Sequence, residues 1–97
     1  MIPFLPAYGQ GVRVTTGASS ANVAINSAYN AIYIVNFGAD YAYVRTGDGS
    51  VVATDTDMPI ASRNGIMISK LDDHTHIAYI RNNLDCELLI LPGLEGL

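Results

Sequence analysis

Two histidines stand one residue apart in His74-Thr75-His76, and they are the side chains best suited to holding a metal. On a strand, residues i and i+2 share a face, so the pair could chelate zinc or iron with a third and usually a fourth ligand. Asp55, Asp57, Asp72 and Asp73 could complete such a set, but nothing in their spacing fixes a geometry. The plainer reading is two histidines at a loop–strand junction. Asp55-Thr56-Asp57, with Asp48 nearby, lacks the D-x-D/N-x-D/N-G run and distal Glu of a calcium loop. It reads as a solvated acidic loop. Ser19 and Ser20 lie in a small-residue turn, not in a G-x-S-x-G elbow. Gly47-x-Gly49 follows a strand pattern but precedes no helix pattern, so it offers no phosphate cradle. There is no Trp, and no carboxylates are paired at a glycosidase spacing. These residues predict no catalytic site, no cofactor and no metal, and therefore not an enzyme.

Six tyrosines remain: Tyr8, Tyr29, Tyr33, Tyr41, Tyr43 and Tyr79. They could stack sugars on a carbohydrate-binding sandwich, but Tyr is also the common residue of protein interfaces. Without Trp or an evident polar clamp, interface is the better reading. Composition agrees. The 97 residues are 49% hydrophobic and only 14% charged, against about 25% charged in an average soluble domain. So few charges leave part of the surface to be covered by neighbours, which predicts self-association as a dimer or trimer. Nine acids against five bases give a net charge of −4, and the bases are spread singly. That predicts no nucleic-acid partner. Cys86 is the single cysteine, so no intrachain disulfide forms and it reads as a small buried side chain. Apolar runs such as 88–91 are too short to cross a bilayer, predicting no membrane contact. The opening MIPFLP has no basic residue and is broken by Pro3 and Pro6, which predicts no signal peptide and synthesis in the cytoplasm.

The elements are short. β-branched or apolar runs at 12–16, 22–25, 31–37, 41–46, 51–53, 60–63, 66–71, 76–81 and 86–91 alternate with turn signals roughly every 8–12 residues. No stretch holds a 3.6-residue period. The pattern predicts an all-β fold: a single antiparallel β-sandwich of about seven or eight strands, with a jelly-roll order among its options. Residues 31–47 read as its centre, a hairpin closed by Gly38-Ala39-Asp40. A three-residue loop sets Ile34 opposite Val44 and Phe37 opposite Tyr41. One face then carries Ile32, Ile34, Ala42 and Val44; the other carries Tyr33, Val35, Phe37, Tyr41, Tyr43 and Arg45 as a partner surface. Asn64-Gly65 predicts a second hairpin with a type I′ turn.

Residues 1–10 form an extended arm before the sandwich of residues 11–97, since Pro3 and Pro6 block a helix. Its apolar side chains Ile2, Phe4, Leu5 and Tyr8 either fold over their own sandwich or lie on a neighbour.

The segments NFGADYAYVRTGDG, VVATDTDMPI, HIAYI and LLILPGLEG, with the opening PFLPAYGQ, resemble a family of small virion proteins of tailed phages. The resemblance implies a β-sandwich, often jelly-roll-like, that sits on a phage particle as a minor capsid or decoration (cement) protein. It implies the phage major capsid protein as a partner and the virion as location, with synthesis in the host bacterial cytoplasm. The expected contact residues are Ile2, Phe4, Leu5, Tyr8, Tyr33, Phe37, Tyr41, Tyr43 and Arg45. The competing readings are a head–tail joining, neck or fibre-base protein, a glycan-binding module, and a small cupin-like metal enzyme.

Overall fold

The computed structural model describes residues 4–95, so Ile2 lies outside the described residues. Among these residues there is no helix, and nine strands follow one another: β1 (Leu5–Pro6), β2 (Val12–Thr15), β3 (Ala21–Ala24), β4 (Ala31–Asn36), β5 (Ala42–Gly47), β6 (Met58–Ile60), β7 (Gly65–Ser69), β8 (His76–Arg81) and β9 (Glu87–Leu94). They build two antiparallel sheets. In sheet A, β9 lies between β4 and a broken edge made of β1 and β2, and β7 closes the far side of β4. In sheet B the order is β3-β8-β5-β6. With β1 and β2 counted as one edge, the orders 2-9-4-7 and 3-8-5-6 are those of an eight-stranded jelly roll. The chain is an all-β sandwich, as the strand pattern predicts.

Alternation explains the core. Ile32 and Ile34 of β4, Ala42 and Val44 of β5, Ile77 and Tyr79 of β8, and Leu88 and Ile90 of β9 turn inward and meet between the sheets. Cys86 is buried beside them. The aliphatic set expected of the central stretch is thus the core.

The expected hairpin is not there. β4 pairs with β7 and β9 in sheet A, whereas β5 pairs with β6 and β8 in sheet B. The 38–40 turn is an arch that carries the chain from one sheet to the other, so Ile34 and Val44 face each other across the core and not along a ladder. An arch and a hairpin place the same alternating residues inside, and the pattern alone cannot separate them. Asn36 braces the arch. It is fully buried, donates through Nδ2 to Asp40 O (2.8 Å) and Ile60 O (3.1 Å), and accepts the Gly38 N–H on Oδ1 (2.8 Å). Asp40 then accepts N–H groups from Tyr41 (2.7 Å), Asn83 (2.7 Å) and Leu84 (3.0 Å), tying the arch to the loop before β9.

Asn64-Gly65 is likewise no hairpin turn, because β6 belongs to sheet B and β7 to sheet A. The left-handed residue there is Arg63 (φ 57°). Two further expectations change. Residues 51–53 form no strand, and β9 runs through Pro92 to Leu94. Pro92 is tolerated because its peptide faces the interrupted edge, where its carbonyl accepts the Ala7 N–H (2.9 Å).

Candidate interface on the outer face of sheet A

Side chains that point away from the core divide between two opposite faces, and that division corrects the single partner surface expected from the central stretch. Tyr33 and Val35 lie on the outside of sheet A. Tyr43 and Arg45 lie on the outside of sheet B. Phe37 (44% exposed) and Tyr41 (48% exposed) flank the arch between the sheets.

The outside of sheet B is roofed by the chain itself. Residues 48–57 cross it: outward-facing Asn22 donates to Gly49 O (3.2 Å) and Val51 O (3.4 Å), and Ser20 Oγ accepts the Ala53 N–H (2.8 Å). Asp57 lies 3.9 Å from Arg45, and Tyr43 Oη reaches Asn82 Oδ1 at 3.5 Å. Under this roof Ala53 and the outward-facing Ala78 are both buried.

Among the described residues no loop crosses the outside of sheet A in this way. Register aligns Met67, Tyr33 and Leu91 in one cross-strand row, and Gly65, Val35, Leu89 and Arg13 in the next. Tyr33 lies flat over Gly65, where any Cβ would come within 2.7 Å of its hydroxyl. Phe4 lies over Gly93 and packs on Tyr33 with ring centroids 6.2 Å apart. The first described residues of the arm therefore join their own sheet: Leu5 and Pro6 pair with Leu94 and Gly93. Leu5 is half exposed and Tyr8 is largely exposed. At the other end the Arg13 guanidinium stacks on Phe37, 5.0 Å from the ring centroid, and pairs with Glu87 at 3.0 Å. The result is a mostly apolar face with polar groups at its rim.

Of the expected contact residues, Phe4, Tyr33 and Phe37 gather on or beside this face, while Tyr43 and Arg45 do not. Met67, Leu89 and Leu91 belong to it and were not singled out from sequence. The continuous apolar run of β9 was the available signal, since a strand apolar on both sides has two faces to cover.

A polar depression of about 520 Å³ lies by the 48–57 loop, lined by Arg45, Asp48, Ser50, Asp73 and His74 among others. His74 Nδ1 meets Thr46 Oγ1 at 2.8 Å, and His76 Nδ1 meets Thr75 Oγ1 at 2.9 Å. The Ser50 hydroxyl and its N–H hold the Asp48 carboxyl below its usual range. Among the described residues no three His, Cys, Asp or Glu side chains gather as a metal site would require.

No family model matches the chain, and no curated protein matches it. A solved chain from the Bacillus endospore appendages, which "form a novel family of disulfide-linked pili", is similar over 98% of this chain and 92% of its own, with 11% identity and a TM-score of 0.49. A likeness at that level says nothing about activity.

Proposed function

We propose that this protein is a non-enzymatic structural component that works by covering and being covered: it self-associates and binds the exterior of a phage capsid as a decoration protein. The observation that carries the reading is the outer face of sheet A, which no loop among the described residues crosses and where Tyr33, Met67, Leu89, Leu91 and Phe37 form an apolar surface rimmed by charge. Contiguous apolar surface of this kind marks contact sites. The capsid as the covered partner rests on the sequence resemblance. In that role the chain adds interface area across neighbouring shell subunits, and a ligand that binds only the assembled shell stabilises it by mass action.

Electron microscopy of purified particles with and without the protein tests the reading. A decoration protein appears in many copies over the shell and raises the temperature at which the shell opens. A few copies at one vertex would instead make it a joining or neck protein, and no density on any particle would overturn the virion reading.

A further inference from the structure

We infer that two copies pair through the open edge of β7, antiparallel about a two-fold axis at Met67, joining their A sheets into one. This deepens the self-association reading and rests on it. The outer face of a single copy covers less than about half of a standard interface, and edge pairing enlarges it. Four strands at about 4.8 Å spacing and five or six residues at about 3.3 Å give roughly 350 Å², against about 800 Å² per partner in a standard interface.

The edges of the two sheets are not equally protected. The β1–β2 edge is broken between Pro6 and Val12 and carries Arg13; β6 is three residues long with Pro59 in its middle; β3 has four residues, with Asn22 tied to the roof. Breaks, prolines, charges and short strands all discourage edge pairing. β7 reads Gly-Ile-Met-Ile-Ser, with no charge and no proline.

Its hydrogen-bonding groups fix the register. Asn36 N donates to Asn64 O (2.8 Å) and Lys70 N donates to Asn30 O (3.0 Å). Ladder positions alternate, so Ile66 and Ile68 also address β4. The N–H and C=O groups of Gly65, Met67 and Ser69 therefore point to the far edge, where no strand among the described residues pairs with them. A two-fold centred on Met67 sets Gly65 opposite the second copy's Ser69 and Met67 opposite its counterpart. All three donors and all three acceptors of each copy are then used. Centring one residue away leaves Ser69 beyond the partner strand.

Two further observations name a second copy as the occupant. The apolar row Leu91–Tyr33–Met67 ends at the edge, and the pairing continues it into the same row of the other copy, doubling the apolar face. Charge also complements: exposed Arg63 precedes β7 and exposed Asp72 and Asp73 follow it, and none of the three has an ion pair among the described residues. Antiparallel pairing sets Arg63 of each copy opposite Leu71 of the other, beside its exposed Asp72, while Lys70 there is buried on the β4 side.

Sedimentation of the full chain and of Met67→Pro tests the inference, with circular dichroism and melting as controls for folding. The proline removes an N–H that points away from β4, so the fold keeps its ladder while dimer dissociation rises at least about tenfold. Met67→Cys supplies a second readout. Opposed residues of a hydrogen-bonded pair have Cα atoms about 5.5 Å apart, within disulfide reach, so diamide should give a covalent dimer. The unaltered chain, whose Cys86 is buried, and Tyr33→Cys should not cross-link. Association that survives Met67→Pro, with no cross-link at Met67→Cys, overturns the edge and leaves self-association standing. A chain that is monomeric from the start overturns both. If Met67→Pro does not fold, the cross-link decides.

Discussion

Asn36→Ala should be among the most damaging single substitutions in this protein, although it removes no apolar contact. The side chain is fully buried and makes three hydrogen bonds, to Asp40 O, Ile60 O and Gly38 N. Each such bond contributes about 1 kcal/mol net, and a buried partner left unsatisfied costs about 1–3 kcal/mol. Water entering the gap recovers part of this, so the expected loss is about 3 kcal/mol. For a domain of this size that lowers the melting temperature by roughly 12–24 °C. Asn36→Asp should be worse near neutral pH, because it keeps the acceptor for Gly38 N–H but aims an oxygen at two carbonyls. Burial raises the pKa of that introduced carboxyl above its unfolded value, so its excess cost over Ala should shrink as pH falls and the carboxyl is protonated. Urea unfolding of Asn36→Ala, Asn36→Asp and the exposed control Asn83→Ala gives the comparison. A loss below about 1 kcal/mol for Asn36→Ala, or Asp better tolerated than Ala at pH 7, would show that the arch does not depend on this side chain.

Other expectations follow from the same geometry. Ile34→Ala should cost about 2–5 kcal/mol by opening a cavity between the sheets, while Tyr43→Ala, half-buried on the outside of sheet B, should cost clearly less in urea melts. Phe4→Ala should cost about 1–2 kcal/mol by uncovering Gly93 and Tyr33; an unchanged melt would mean that the arm does not hold to its sheet. N–H groups of Asn83, Tyr41 and Leu84 hold the Asp40 carboxyl below its usual range, so its contribution is present above the unfolded pKa of about 4 and fades as pH falls through the lower folded value. Asp40→Asn should therefore lower the melting temperature at pH 6 and flatten its decline as pH falls below about 4. Chelator should leave the melt unchanged; a drop reversed by zinc would assign His74 or His76 a metal, and one reversed by calcium would point to the carboxylates of the 48–57 loop.

The sequence was informative wherever period alone decides the outcome. Alternation in 31–36 and 42–46 marked Ile32, Ile34, Ala42 and Val44 as core, and turn spacing marked an all-β sandwich. It was uninformative about which strand each one pairs with, because an arch and a hairpin bury identical residues. The arch is braced by a polar side chain, Asn36, whose partners include a carbonyl as distant in sequence as Ile60. The same ambiguity misled at Asn64-Gly65, where a favourable hairpin dipeptide serves a crossing between sheets. For the interface, Tyr33 and Phe37 were legible as amphipathic aromatics, but their separation from Tyr43 and Arg45 follows from the sheet assignment. Met67 was silent for a different reason: an edge exists only once strand order is known.

Self-association, on which edge pairing and an enlarged apolar face both depend, is read by sedimentation velocity of the unaltered chain between about 1 and 100 µM. The 10.3 kDa monomer should shift toward a dimer within that range. A single monomeric species throughout would contradict self-association.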